Sequence, residues 1–454
     1  MGNLLVSLRN TAEAMRVYER GMGVVQANVT NASTPGYARQ RQVLEAMRMD
    51  LDAGLPGGVR SGGTLDGRNE YAEALVRRRA ESLGYADERA RQLDALEPVY
   101  DISSSGSLSS AMDRLFQSFS ALTVAPNDLA ARQVVLDRAS ELARNFRAMD
   151  ASLQDASAST DKSLAQQVDA INRVVAGITA LNKQFRADFE VQNDAGVQAQ
   201  MNNLLEQLSE LGNFTVLRND DGSATVYLGG QTLVAVGEQQ LPIALDASSS
   251  VSARILDAAG QDVTGQVDGG RLAALLEIRN QTLPAKRGEL DRLAQTLADA
   301  VNTVLAGGVD LDGNPPVKNL FQYDAMLGAA RTLTTTDLAP RELAAAASGS
   351  PGGNGVALQA SALGQAKVLD GGTFTQFFAA QAADVGRMAS EARAERDSNQ
   401  GLVTQARQFR EEIQGVNLDQ EAVALIEYQR AYQAAAQLVR TLNDMTETVI
   451  NLIR

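Results

Sequence analysis

Chemistry requires side chains that bind a metal, carry a proton or attack a bond, and this 454-residue chain offers few of them. It has no Cys, no His and no Trp, so thiol nucleophiles, disulfides, imidazole acid–base catalysis and the commonest zinc ligands are missing together. The run most like a metal site is Asp310-Leu311-Asp312-Gly313-Asn314, which spaces three oxygen donors like the opening of a calcium loop. Such a loop also needs Gly at its sixth position and Glu at its twelfth; neither is present, and a turn is the better account. Carboxylates are plentiful, but Glu411, Glu412, Asp419 and Glu421 fall on solvated helix faces or in a first helical turn. No two stand out as an acid–base pair, so even a carboxylate hydrolase finds no candidate site. Asn28-Val29-Thr30, Asn31-Ala32-Ser33, Asn213-Phe214-Thr215 and Asn280-Gln281-Thr282 match the glycosylation sequon, a pattern short enough to arise by chance. We expect no catalytic residue, no cofactor and no metal.

What the residues do offer is surface for association. Near the N-terminus Leu4, Leu8, Thr11, Met15, Tyr18, Met22, Val25 and Val29 alternate by fours and threes, which is a heptad seam. A matching row, Leu418, Ala422, Leu425, Tyr428, Tyr432, Ala435, Val439, Leu442, Met445, Val449 and Leu452, occupies the other end of the chain. Terminal segments are normally the least apolar part of a domain, so both rows need cover. The two helices cover each other on one reading; on the sharper reading both seams also face other subunits.

The net charge of −14 and the pI near 4.7 would repel a phosphate backbone, which sets nucleic-acid binding aside. Met1-Gly2-Asn3-Leu4 runs straight into the seam without a basic start or a cleavage site, so no cleaved secretory signal is expected. The uncharged run from Leu343 to Gln365 is Ala, Gly, Ser and Pro with few large side chains, and is no membrane helix.

The elements that must position these rows read as follows. The first helix ends near Thr30 or Asn31, because Thr34-Pro35-Gly36-Tyr37 has the chemistry of a type II turn. Val43 to Gly67, with Gly57-Gly58 and Gly62-Gly63, reads as an irregular or extended connector. Helices follow from Asn69 to Leu96, from Leu108 to Val124 and from Leu129 to Glu190, the last weakly interrupted near Ser157 to Thr160. Short strands are expected at Phe214–Leu217, Thr225–Leu228, Thr232–Val236, Leu241–Leu245 and Val251–Leu256. Arg271 to Leu305 is helical with a boundary or kink at Pro284, and 306–354 is mostly loop with one strand candidate, Thr332–Thr336. Helix returns from 356 to 414, broken at Gly371-Gly372, and Asn417 with Gln420 resembles a capping box for the last helix.

The predicted fold class is mainly α with a small β domain: long antiparallel helices, the N- and C-terminal helices paired as a coiled coil, and a β module inserted at the distal end. The expected domains are a terminal coiled-coil assembly domain (1–42 plus 415–454) and a long helical domain (43–206 plus 269–308 plus 355–414). A small β domain (207–268) follows, with the 309–354 loop and its one strand completing it.

Asn28-Val29-Thr30-Asn31-Ala32-Ser33-Thr34-Pro35-Gly36-Tyr37-Ala38-Arg39-Gln40-Arg41 resembles the N-terminal signature of flagellar axial proteins, in the form of the hook-associated protein 1 family. Gly415-Val416-Asn417-Leu418-Asp419-Gln420-Glu421-Ala422, with Tyr428-Gln429 and Ala431-Tyr432, is similar to the other end of that family. Looser similarity at Ala130-Ala131-Arg132-Gln133, at 270–302, at Gly353-Asn354-Gly355, at Gly372-Thr373-Phe374 and at Val385-Gly386 extends it over nearly the whole chain. The chain departs from the pattern at Arg16, Glu19 and Arg20, which replace small residues off the seam, and at Ala27, which replaces a frequent Asn. It also has too few residues within 306–340 for the second β domain of longer members.

The resemblance implies a structural, non-enzymatic protein of the extracellular flagellum at the hook–filament junction. It implies export through the flagellar type III apparatus without signal cleavage and a cytoplasmic chaperone at the C-terminal helix. Partners would be further copies of the chain in a ring or helical layer, hook protein on one side, and the next junction protein or filament on the other, with no nucleic acid and no membrane. Another axial protein of hook or distal rod, or a generic secreted coiled-coil scaffold or adhesin, is the alternative. The assembly interface expected on this reading comprises Leu4, Leu8, Met15, Tyr18, Met22, Val25, Asn28, Val29, Asn31, Thr34, Pro35, Gly36, Tyr37, Arg39 and Gln40. At the other end it comprises Asn417, Leu418, Leu425, Tyr428, Tyr432, Val439, Leu442, Met445 and Val449.

Overall fold

The computed structural model describes residues 2–50, 55–104, 106–192, 194–249 and 252–453. The first helix, α1 (Gly2–Asn31), ends where the turn chemistry requires. Tyr37 N–H donates to the Thr34 carbonyl at 3.1 Å, and Gly36 sits at φ 77°, the left-handed value that a type II turn demands at its third residue. The stretch read as an irregular or extended connector is instead a long antiparallel ribbon, β1 (Gln40–Asp50) and β2 (Leu55–Asp66), with a register shift between Gln42 and Leu44. Residues 51–54 of that stretch lie outside the described residues. One face of the ribbon lies on α1 and the other is open, yet β1 shows no clean alternation, because its apolar residues Val43, Leu44, Ala46, Met47 and Met49 fall on both faces and Leu44 and Leu65 are exposed.

Helix α2 (Glu70–Leu96) starts at Asn69, whose side chain accepts from Ala72 N–H at 3.0 Å, with Glu70 and Glu73 at the positive end of the helix dipole. Ser107 caps α3 (Leu108–Val124) and Asp128 caps α4 (Leu129–Ala187) in the same way. The 59 residues of α4 form one unbroken rod about 88 Å long. The expected weakness near Ser157–Thr160 does not appear: Thr160 is buried, and its hydroxyl is satisfied by the Ala156 carbonyl within the helix.

A short α5 (Phe189–Gln192) and α6 (Ala195–Leu211) lead into the β module. Its strands β3 (Phe214–Arg218), β4 (Ala224–Leu228), β5 (Thr232–Val236) and β6 (Gln239–Gln240) form an antiparallel sheet in sequence order. Two more, β7 (Ala244–Asp246) and β8 (Arg254–Leu256), pair separately; Val251, at the start of the last expected strand, lies outside the described residues.

The chain then re-enters helix as α7 (Gly270–Glu277), a π turn at Ile278–Thr282, and α8 (Leu283–Ala306). At the expected Pro284 boundary the helix widens rather than breaks. Leu283 N–H reaches back five residues to the Ile278 carbonyl, which gives the proline ring room where a regular turn would clash. After α8 come β9 (Gly308–Val309), β10 (Phe321–Gln322), α9 (Ala329–Thr332), β11 (Thr334–Thr335) and β12 (Ala346–Ala347), pairing as β10–β11 and β9–β12. The last helices are α10 (Gly355–Ala362), α11 (Phe374–Gln414), opened by a Thr373/Gln376 capping box, and α12 (Leu418–Ile453).

Two apolar cores result. One joins the ends of α2 and α11 to α3, α8, α10 and the first half of α4, around Phe119, Phe146, Leu297 and Phe374. The other joins the second half of α4 to α6, α7 and the strands, around Ile171, Phe185, Leu205 and Val226. Residues 309–354, expected to complete the β module, contribute Leu320, Phe321, Leu333 and Leu343 to the first core instead. Arg132, fully buried, fastens the turns there by donating to the Pro126 and Leu343 carbonyls.

The β module also lies elsewhere than at the distal tip. Helices α2 and α11 run antiparallel, with Asp94 beside Arg393 at one end and Glu73 beside Gln414 at the other. The second core sits toward the Glu73 end, since Ala199 of α6 meets Gly36 and Glu206 of α6 meets Arg410. The unbroken α4 accounts for this, because it carries the chain back toward the terminal helices before the strands begin.

Candidate assembly interface

The expected terminal pairing is present. Helices α1 and α12 run antiparallel, with Asn28 opposite Glu421 and Gly21 opposite Tyr428. Leu4, Leu8, Met15, Tyr18 and Met22 are half-buried and Val25 is buried; on α12, Leu425, Tyr428, Tyr432, Val439, Leu442 and Val449 are half-buried. Heptad counting misses two members of this row, Val17, which is 1% exposed, and Gly21. A Cβ on Gly21 would stand 2.7 Å from the Tyr428 ring, so only glycine lets the ring lie against the α1 backbone. The signal was the i, i+4, i+8 spacing of Val17, Gly21 and Val25.

Four residues assigned to the seam are exposed, the small Ala422 and three large side chains. Val29, Leu418 and Met445 are 46%, 55% and 51% exposed. Asn28 takes the inner position beside Val29, Leu418 is the first residue of α12, and Leu442, Thr446 and Val449 form the half-buried row beside Met445. They join Leu5, Val423, Ile426, Leu438 and Ile450 as large apolar side chains left open on the pair. A groove of about 550 Å³ runs between α1, α12 and β2, lined by Tyr18, Val59, Ala435, Leu438 and Leu442 among others.

At the base of the pair the polar residues do something other than face outward. Asn28 is 1% exposed and fully satisfied: its Nδ2 donates to the Gln40 carbonyl at 2.9 Å and to Glu421 Oε2 at 3.0 Å. Its Oδ1 accepts from Tyr37 OH at 3.0 Å and from Gln40 N–H at 2.9 Å. Arg39 donates Nε to Glu421 and Nη1 to Gln420 at 2.9 Å, and its backbone N–H donates to the Gln414 carbonyl at 2.9 Å. Glu421, read as a helix-start residue on a solvated face, is thus a buried anchor; Asn417 caps α12, accepting from the Asp419 and Gln420 N–H groups at 3.0 and 3.2 Å. Burial, then the charges of Glu421, Asp66 and Asp194, push the Tyr37 hydroxyl up to about 12, so it stays a donor.

The network continues into the body. Gln414 donates to Glu73 at 2.7 Å and accepts from Asn69 N–H at 2.9 Å. Glu73 also receives Arg68 at 2.7 Å and Arg410 at 3.2 Å, and Arg410 bridges to Glu206 at 2.7 Å. Burial alone would raise the Glu73 pKa, but the Gln414 hydrogen bond and the Arg410 and Arg68 charges outweigh it and hold the carboxyl below its usual value. Gly36 presses on the Ala199 carbonyl and gives its own carbonyl to Arg68 at 3.0 Å. Asn31 and Thr34 are linked by a 3.2 Å hydrogen bond at the turn surface, and Pro35 is exposed beside them. This polar hub joins the terminal pair, the ribbon, the body and the β module at one corner, all through contacts within the chain.

Among the described residues, no group of His, Cys, Asp or Glu side chains is arranged to hold a metal, and no helix is long and apolar enough to cross a membrane. Arg341 sits on Asp312 in the loop that resembles a calcium site.

Known proteins match this architecture. The chain is 24% identical to flagellar hook-associated protein 1 of Bacillus subtilis over 99% of each chain. It is 27% identical to that of Salmonella typhimurium over 68% of this chain and 58% of the relative. A solved structure, the flagellar hook junction protein FlgK from Burkholderia pseudomallei, shares the fold with a TM-score of 0.66 at 16% identity, over 74% of this chain and 99% of that one. A family model for the C-terminal part of the flagellar basal body rod FlgEFG proteins matches residues 407–452. The model for the helical domain of the flagellar hook-associated protein FlgK matches residues 93–321, half of the chain, and the chain belongs to that family.

Proposed function

We propose that this chain is a structural subunit of the flagellar hook–filament junction, and that α1 and α12 form the part that polymerises. The observation that carries the reading is the unequal cover of the terminal pair. Its inner row is half-buried or buried, while Leu5, Val423, Ile426, Leu438, Met445 and Ile450 are exposed along it. Neighbouring copies burying those side chains would build an inner tube, with hook protein below and the next junction protein or filament above. The residues of the corner, Asn28, Tyr37, Arg39 and Gln40, act in this reading by fixing the angle of the pair relative to the body. On this reading the chain divides into a terminal assembly domain that takes in the β1–β2 ribbon, a helical domain that takes in 309–354, and a small β domain.

Export through the type III apparatus without signal cleavage fits a chain free of disulfides. A cytoplasmic chaperone would cover the open face of α12 before export. Composition offers no thiol or imidazole for catalysis, which fits a structural role.

Deleting the gene should leave cells with hooks, no filaments, and filament protein in the medium. Wild-type chain should restore filaments and Leu438→Glu should not. Filaments retained in the deletion strain would refute the assignment, and loss of hooks would place the chain earlier on the axis.

A further inference from the structure

The β module joins the body through a neck that both of its connections share. The chain enters at Gly212-Asn213, between α6 and β3, and leaves at Asp268-Gly269-Gly270, where α7 begins. A Cβ on Gly270 would stand 2.4 Å from the Gly212 Cα, so the two connections touch backbone to backbone. Asn213 pins them together. Its Nδ2 donates to the Gln266 carbonyl at 2.8 Å and to Asp268, and its backbone carbonyl accepts from Gly229 N–H at 2.9 Å. Its side-chain oxygen, Oδ1, is buried and receives no donor.

Helix α2 closes one side of this neck. A Cβ on Gly84 would stand 2.1 Å from the Glu210 carbonyl, so α2 and α6 lie in direct contact. Three residues earlier on α2, Glu81 reaches over the neck. Its Oε1 lies 2.1 Å, and the Asn213 Cβ 3.1 Å, from the point that a Cβ on Gly269 would take. Among the described residues the half-buried Glu81 carboxyl forms no hydrogen bond and no ion pair. An unpartnered carboxyl therefore stands beside an unpartnered acceptor. Two acceptors gain nothing from each other, but a proton on Glu81 supplies the donor that Asn213 Oδ1 lacks. The surroundings favour that proton: burial, then Asp268 at the neck, push the carboxyl up to about 7 against the pull of Arg78. The other charges there are already engaged, Arg271 of α7 pairing with Glu210 of α6 and with Asp87 of α2.

We propose that Glu81 is a proton-operated latch on the β module: neutral, it donates to Asn213 Oδ1 and holds the neck against α2; ionised, it gives its proton to water and releases the neck, which then opens at its glycines. The latch is closed in mild acid and opens as pH rises through about 7.

The test is hydrogen exchange of the full-length chain on either side of neutrality, corrected for the intrinsic pH dependence of amide exchange, with α3 as the internal reference. In the wild-type chain the amides of 212–214 and 266–270 should exchange about three- to tenfold faster on the alkaline side, the loss of one buried hydrogen bond, while α3 is unchanged. Glu81→Gln, whose amide donates at every pH, should keep the slow rate on both sides. Glu81→Met, of similar length but without a donor, should show the fast rate on both. No pH response at the neck of the wild-type chain would overturn the latch, as would a response that survives in Glu81→Gln. Glu81→Met as slow as Glu81→Gln would also overturn it, since burial of the carboxylate alone would then explain the change. If Glu81→Met does not fold, Asn213→Ala takes its place and must abolish the pH response for the proposal to stand.

Discussion

The body and the terminal pair are both built from long antiparallel helices, yet they bury opposite things. In the body, α4 closes Leu142, Phe146, Leu153, Leu164, Ile171 and Ile178 completely, and no neighbour is needed to finish either core. On α12 the only described side chains that reach full burial are Ala435 and Glu421, one small and one charged. Helix stability in proteins comes mostly from packing an apolar face, so α12 is underpacked for its length of 36 residues. What holds the pair in place is concentrated at its base, in a polar network that specifies geometry more than it adds stability. The body is closed within one chain; the pair is positioned within one chain and, on the proposed reading, is finished by neighbours.

The sharpest way to break this contrast is to truncate comparable side chains in the two regions. Phe146→Ala, in the body core, should cost about 3–5 kcal/mol in denaturant unfolding of the monomer. Next, Glu421→Ala removes the acceptor of both Arg39 and Asn28. Arg39 retains 17% exposure, so the cost should sit near the low end of the ~3–5 kcal/mol for breaking a buried pair. The loss should appear as faster amide exchange in α1 and α12 with the body unchanged; equal acceleration in the body would mean that the hub supports the whole fold.

A smaller effect is expected at the turn. Gly36→Ala places a Cβ at φ 77° and 2.9 Å from the Ala199 carbonyl, costing about 1–2 kcal/mol, again read most strongly in the terminal helices. Leu438→Ala, on the open face, should change monomer stability by less than about 0.5 kcal/mol while impairing filament attachment in motility assays.

The body also carries a pH-sensitive group absent from the pair. Burial, then the neighbouring charge of Asp268, pushes the Glu81 carboxyl up to about 7 against the pull of Arg78. The folded state thus holds that proton more tightly than the unfolded chain, whose carboxyl keeps its ordinary value. Stability from this group is fully present below the ordinary value and is lost as pH rises toward about 7. Glu81→Gln should flatten that fall in unfolding experiments at several pH values; an unchanged slope would show that Glu81 is ionised in the fold.

Much of this was legible in the chain itself. Leu108 and Val124 bound α3 as read, and the turn at Thr34 to Tyr37 forms with the glycine where its chemistry demands. Most of the heptad rows pack between α1 and α12 because periodicity reports a face directly, while Val29, Leu418, Ala422 and Met445 fall off that face. What periodicity does not report is which long-range partner a polar residue meets. Glu421 sits in the first turn of α12, a position that local rules explain without Arg39 and Asn28, hundreds of residues away in sequence. The ribbon was hidden because its glycines mimic a flexible connector and the apolar residues of β1 fall on both faces. The place of the β module depended on α4 being continuous, and polar residues at Ser157–Thr160 concealed that.

The central claim is that the terminal helices are completed by assembly while the body is not. Hydrogen exchange on the free monomer at neutral pH tests it directly. The account predicts strongly protected amides in α4, α8 and the first half of α11, with weak protection along α12 and the outer turns of α1. Protection of α1 and α12 equal to that of the body would contradict it.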